Sequence, residues 1–313
     1  MRLFGWFRRS PQENQQEDQP APRRWMRLRG RRMLSSGSYI LPKDPLEEDR
    51  LDLQHHLYKL VLHSNYRAPL REPRMILDVA CGTGIWGREM AKEFPQAQIV
   101  NFDIDRAPVD AALQRLGPTG QFPPNFRFLE ADAFQPFPFE ANLFDFTHAR
   151  LIGSFTPIAR WPDVVAEMVR VTRPGGYVEL VDFAMGQSPS QAVMTLADAM
   201  SRLMTARGLH PGSAPYLAGY LRQAGLERVQ ERPAVVGRKG PQGTREQRLL
   251  ITDILATFTN LQPLVVKVGI LSDADYTALL ERAREEARTM GAWLPIVCAF
   301  GRKPLEPASR RSR

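Results

Sequence analysis

A doubly wound α/β fold is what this sequence predicts, on three observations. Strand-like runs at 75–80, 97–102, 126–130, 143–148 and 177–183 alternate with helical segments near 84–94, 107–116 and 161–172. That alternation calls for right-handed crossovers and a mostly parallel sheet. Directly after the first run, the stretch ILDVACGTGIWG (76–87) sets a glycine bend of Gly82, Gly84 and Gly87, where an open sheet of this kind presents a ligand site. Finally, 313 residues with 43% hydrophobic content suffice for one large core.

The elements follow in order. Residues 1–33 contain a Gln-, Pro- and Glu-rich stretch without periodicity and nine arginines, and read as a disordered basic tail. Residues 34–72 form an arm and a cap helix. Asp44, Pro45 and Glu47 spell a helix start, with Leu53, Leu57, Leu60 and Val61 on the apolar side of a helix ending near His63. The α/β domain spans 73–303. After Phe183, helices are expected over about 189–207 and 214–224, a strand over 226–236, helices over 244–260 and 273–290, and a last strand holding Pro295, Ile296, Val297 and Phe300. Residues 304–313 read as a second basic tail.

Charge narrows the function classes. The formal net charge is +8, but the two ends carry +6 and +4, leaving 268 central residues at −2. A near-neutral body with basic ends is not a nucleic-acid footprint, and the chain lacks both the D/N-P-P-Y/F/W motif and a Pro-Cys nucleophile. Nucleic acid is therefore set aside as a partner. Phe4, Trp6 and Phe7 among Arg2, Arg8 and Arg9 read as a solvated terminus, with weak contact to an anionic membrane as the lesser reading. No apolar run of membrane-spanning length is evident and there is no secretory h-region. Two cysteines, Cys81 and Cys298, make neither a disulfide framework nor a metal cluster. A cytoplasmic protein is expected. His55 and His56 are adjacent and His63 is remote, so no metal site is expected.

Three carboxylates in chain order give the bend its meaning. Gly82 and Gly84 let a ligand approach the backbone, and the following helix offers free N–H groups. Asp78 ends the first strand four residues before Gly82; a carboxylate there disfavours a pyrophosphate and favours an amino group and a sulfonium. Asp103 ends the second strand, where an acidic side chain accepts both ribose hydroxyls of a nucleoside. Asp132, after the third strand, suits an adenine amino group, with Ala133 supplying a backbone donor. Singly, Asp103 and Asp132 are equally explained as caps or turn residues. Together the three point to a nucleoside site; Asp103 fits NAD and S-adenosylmethionine alike, and Asp78 is what favours S-adenosylmethionine.

ILDVACGTG, NFDID, EADAF, LFDFTHAR and EMVRVTRPGGYVEL resemble, in order, the motifs of class I S-adenosylmethionine-dependent methyltransferases. The resemblance covers 75 to about 183 and implies a Rossmann-like sheet of seven strands with an antiparallel last strand near 294–301. It implies a cofactor cradle that includes Ile104 beside Asp103. Ala80 stands where that family usually has glycine. A narrower similarity, from YILPKDPLEEDRLDLQHH (39–56) through RWPDVVAEMVRVTRPGGYVEL, is to the fungal methyltransferases that regulate secondary metabolism with velvet proteins. It implies a cap helix folded over the cofactor, with Tyr39, Arg50 and Gln54 facing it. The resemblance implies methyl transfer but carries no substrate; the Met-rich helix face and the inserted helices favour an O, N or C nucleophile of a small, apolar or aromatic metabolite as acceptor. The alternative is a cofactor-binding regulator acting through protein partners or protein methylation.

Other candidates carry two readings each. His148, after the fourth strand, is either a general base or a histidine satisfied by nearby backbone. Asp182 is a base or, more simply, a cap. Met185, Met194, Met200 and Met204 form an apolar face for which core packing is the plainer reading and an adaptable substrate lining the other.

Overall fold

The computed structural model describes residues 25–34, 39–117, 120–241 and 243–305. Strands β1 (Trp25–Leu28) and β2 (Arg31–Leu34) form an antiparallel hairpin. Its turn residues, Arg29 and Gly30, both have positive φ (51° and 78°), the signature of a type I′ hairpin turn. This corrects the expected tail over 25–33: Met33 is buried against Ile40 and Leu41, and the arginine-rich composition hid the alternation of Met26 and Leu28 with polar residues. Residues 1–24 and 306–313 lie outside the described residues.

Helix α1 (Pro45–Leu62) starts as its sequence dictates. The Asp44 side chain accepts from the Glu47 N–H, Pro45 opens the first turn, and His63 ends the helix at a left-handed φ of 53°. Its buried face differs from expectation, because it includes Glu47, Arg50, His55, Leu57 and Tyr58 while Leu60 is exposed. The charged residues turn inward because a later helix supplies partners for them.

Next come β3 (Met75–Val79), α2 (Ile85–Glu93), β4 (Gln98–Asp103), α3 (Ala107–Arg115), β5 (Phe126–Glu130), β6 (Phe144–Arg150), α4 (Trp161–Val171) and β7 (Thr172–Phe183). The expected strands and helices match these closely, except that β7 starts at Thr172. RPGG is drawn into the strand because the Gly175 N–H donates to Lys303 O and the Lys303 N–H donates to Gly176 O, both at 2.9 Å. The remainder is α5 (Gln191–Ala206), α6 (Leu217–Gln223), β8 (Glu227–Lys239), α7 (Arg245–Lys267), α8 (Asp273–Met290) and β9 (Gly291–Arg302).

The strand order is β5-β4-β3-β6-β7-β9-β8. Strands β3 to β7 pair in parallel, and β9 is antiparallel to both neighbours. The chain leaves β3 toward β4 on one side and β6 on the other, so the switch point lies at the carboxyl ends of β3 and β6. Two cores fill the faces of the sheet, and a third joins α5, α7 and α8 to the hairpin. Helix α7 is, among the described residues, long and apolar enough by length and composition to cross a membrane, which the sequence reading missed. Half of its apolar window is buried, and it carries Asp253 and Asn260 on its buried side.

Candidate functional site

The bend after β3 is built from left-handed residues. Ala80, Gly82 and Gly84 have φ of 56°, 58° and 71°. A left-handed alanine costs about 1–2 kcal/mol, which explains why glycine is the usual occupant of the first position. Gly87 has another duty: a Cβ there would fall 1.8 Å from Asn101 Oδ1, so its bareness lets α2 lie against β4. The Gly82 N–H donates to Asp103 Oδ2 at 3.0 Å, which ties the bend to the end of β4.

A cavity of about 430 Å³ opens at these strand ends, within the range of small-molecule sites. Of the residues singled out from sequence, Ala80, Gly82, Asp103, Ile104, Asp132, Ala133, Tyr39, Arg50 and Gln54 line it. Asp103 Oδ1 accepts from the Asp105 N–H at 3.1 Å and faces Lys43 Nζ at 3.5 Å. Asp132 Oδ1 accepts from the Phe134 N–H at 2.8 Å, a turn role that coexists with a place on the wall. Burial pushes the Tyr39 phenol well above its ordinary value.

Asp78, Gly84 and His148 are not brought to the wall. Asp78 is buried and accepts from His148 Nδ1 at 3.0 Å, and the imidazole lies flat on Trp86 at 4.0 Å between centroids. In a parallel sheet covered on both faces, strand parity alone decides which way a side chain points, and Asp78 points to α2. Both sequence roles, Asp78 toward an amino group and His148 as base, therefore lack direct access to the cavity in this structure. Asp182 is also inside: Oδ2 accepts from the Gly153 N–H and Oδ1 from the Phe183 N–H, both at 2.9 Å. It caps the segment after β6, and burial pushes its carboxyl up to about 6.

The roof was only half legible. Arg50 grips Glu47 through two bonds of 2.7 and 2.8 Å and Asp253 through one of 2.6 Å, while Gln54 Nε2 donates to Asp253 Oδ2 at 3.0 Å. Arg31 extends this lattice to Asp44 and Asn260. Asp253 went unnoticed in the sequence, although a lone carboxylate inside the apolar run LLITDILA was the signal. Lys43 likewise went unnoticed.

The far end of the cavity is apolar. Met185, Met194, Met200 and Met204 line it with Phe258 and Trp293, and Met204 and Phe258 also belong to the buried core that Leu196 and Leu203 of α5 fill. Both readings of the methionines hold in part, since Met204 belongs to that core and Met185 and Met200 pack against it while all four face the cavity. Away from the cavity, His55, His56 and Glu89 do converge, with ligand atoms within 4.8 Å of one another, contrary to the argument from helix faces. Arg150 donates to His55 Nδ1 at 2.9 Å and Lys59 holds Glu89 at 2.6 Å, while His55 Nε2 lies 3.1 Å from Glu89 Oε2. Burial pulls the His55 imidazole down to about 4.

Comparison with known proteins gives a match over part of the chain. Residues 76–176 match the family described as methyltransferase domain. Over that segment, about a third of the chain, it is similar to a methyltransferase domain. Methyltransferase pytC of Aspergillus terreus is 29% identical over 206 residues, covering 62% of this chain and 59% of pytC. Protein-methionine methyltransferase laeA of Emericella nidulans is 32% identical over 155 residues, covering 47% of this chain and 37% of laeA. Further fungal relatives are named secondary metabolism regulators. The chain thus spans about six-tenths or less of the length of these relatives. The YcgJ protein of Bacillus subtilis shares the fold, with a TM-score of 0.50 at 18% identity, covering 80% of this chain and 99% of that one.

The cofactor of such a methyltransferase domain is S-adenosylmethionine, and the residues present suit it. The wall offers Asp103 and Asp132 to a nucleoside, a glycine bend without side chains to its approach, and a buried Tyr58 hydroxyl without a hydrogen-bond partner.

Proposed function

We propose that this protein transfers a methyl group from S-adenosylmethionine to a nucleophilic atom of a small, uncharged and largely apolar metabolite. The observation that carries this reading is the single cavity running from the Asp103 and Asp132 carboxylates to a wall of four methionines. S-adenosylmethionine supplies a methyl group already activated on a sulfonium. The chain's own residues need chiefly to bind and align: Asp103 takes ribose hydroxyls, Asp132 and Ala133 take adenine, and the α1 roof with Arg50 and Gln54 excludes water. Alignment of this kind is worth several kcal/mol of barrier. The cations on the wall, Lys43 and Arg50, face Asp103 and Glu47 with Asp253, which supports an acceptor without a negative charge. Thioethers on flexible chains adapt to varied apolar shapes.

The test is mass spectrometry of a cell extract incubated with the protein and deuterated-methyl cofactor. One or a few apolar products carrying the label support the reading, and absence of label from every small molecule with label in protein overturns it. A second reading is favoured by those four thioethers, which are neutral nucleophiles needing no base. In it the acceptor is a protein methionine, as the name of the Emericella nidulans relative says of that protein. Label in the protein fraction after the same incubation supports it.

A further inference from the structure

The methionine end of the cofactor carries a carboxylate, and most donors near the bend are already engaged. The Gly82 N–H is bonded to Asp103, Lys43 faces Asp103, Arg50 is held by Glu47 and Asp253, and the Gln54 amide donates to Asp253. Two groups stand apart. Tyr58, fully buried on α1 and part of the cavity wall, has a hydroxyl with no hydrogen-bond partner. Arg150, the last residue of β6, donates to His55 Nδ1 at 2.9 Å, and among the described residues no carboxylate is ion-paired to it. Its Cζ lies 5.7 Å from the centre of the Tyr58 ring, with Asp78 and Glu89 as the more distant acidic groups that act on it.

The sheet register places this pair beside the bend. Val79 is aligned with Ala149, so Ala80 and Arg150 are the next residues along neighbouring strands; Tyr58, Ala80 and Leu151 line the cavity, and Arg150 stands just off the wall against the Tyr58 ring. A buried hydroxyl without a partner and a half-buried guanidinium without an adjacent anion are each costly arrangements in a finished protein. One anionic ligand group completes both.

We propose that Tyr58 and Arg150 form the receptor for the α-carboxylate of the bound cofactor, Tyr58 donating its O–H and Arg150 providing the counter-charge. The assignment rests on the S-adenosylmethionine reading above. It makes β6 and the cap helix joint readers of the amino-acid part of the ligand.

The experiment is calorimetric titration of the full chain with S-adenosylhomocysteine and with its decarboxylated form, which keeps nucleoside, thioether and amine. Wild type is expected to prefer the carboxylated ligand by about 10- to 100-fold, the usual range for a charge-assisted contact. Arg150→Met is expected to erase most of that preference while holding the decarboxylated ligand within about 3-fold of wild type. Tyr58→Phe, which removes only the hydroxyl, is expected to take about 5- to 10-fold from the carboxylated ligand alone, and it carries the test should Arg150→Met not fold. Equal weakening of both ligands, or of neither, overturns the proposal while leaving the cofactor reading intact. Failure of wild type to bind either ligand overturns the cofactor reading itself.

Discussion

Asp103→Asn isolates the residue on which nucleoside recognition depends. The carboxylate is already the acceptor for the N–H groups of Gly82 (3.0 Å) and Asp105 (3.1 Å), one on each oxygen, with Lys43 Nζ at 3.5 Å. Oδ2 keeps a lone pair for one ribose hydroxyl, and Oδ1 has its second lone pair for the other where the long Lys43 contact yields. An asparagine keeps the shape, but its NH₂ must face either the Gly82 or the Asp105 donor, so one backbone bond, the Lys43 pairing and at least one hydroxyl contact are lost. A hydrogen bond to a charged group is worth about 1.5–3 kcal/mol, hence a loss of about 10- to 100-fold in affinity for S-adenosylhomocysteine by calorimetry. The 2′-deoxy ligand sharpens the comparison: wild type is expected to bind it at least about 10-fold more weakly than the parent ligand, and the variant to tell the two apart much less. An affinity change below about 3-fold, less than 1 kcal/mol, with discrimination intact, refutes ribose binding by Asp103.

Three further outcomes are expected. Met194→Trp or Met200→Trp narrows the apolar end and is expected to cut methyl transfer at least about 10-fold while cofactor affinity holds, measured by product formation beside calorimetry; a parallel loss of both contradicts the division of the cavity. Arg31→Ala removes the link from hairpin to Asp44 and Asn260 and is expected to lower stability by about 1–3 kcal/mol in urea unfolding, whereas deletion of residues 1–24 is expected to leave it unchanged. Burial holds Asp182 protonated up to about 6, so between its unfolded value near 3.9 and that point the folded state binds the extra proton and stability falls as pH rises; His55, pulled by burial down to about 4, does the opposite between 4 and 6.5. The two slopes offset each other in wild type, and Asp182→Asn is expected to become more stable relative to wild type by about 2–3 kcal/mol between pH 4 and 6.5, read from urea melts; parallel pH curves contradict this.

How far the sequence carried depended on whether the cause was local. The bend was legible because positive φ and a tight helix contact are demands made on single residues, and Gly82, Gly84 and Gly87 answer them in place. The cap of α1 was equally plain from Asp44, Pro45 and Glu47. Asp78 was not, since both faces of a parallel strand are buried and composition is silent on which face holds a given carboxylate. Arg50 was expected at the cofactor and does reach the wall, but its strongest partner, Asp253, lies about 200 residues away in sequence, beyond any pattern a window can hold. The methionines of α5 show the same limit: an apolar helix stripe reads identically whether it meets a core or a cavity, and only the placement of α7 and β9 opposite it tells them apart. The hairpin at 25–34 was masked by its arginines, whose charge suggested a tail while alternate residues were apolar.

One measurement bears on the whole account most directly: parallel calorimetric titrations of the intact chain with S-adenosylmethionine and with NAD. The acid-lined strand ends, with Asp103, Asp132 and Glu47 on the wall, lead to saturable one-to-one binding of S-adenosylmethionine and no heat from NAD. Binding of NAD with no response to S-adenosylmethionine contradicts it.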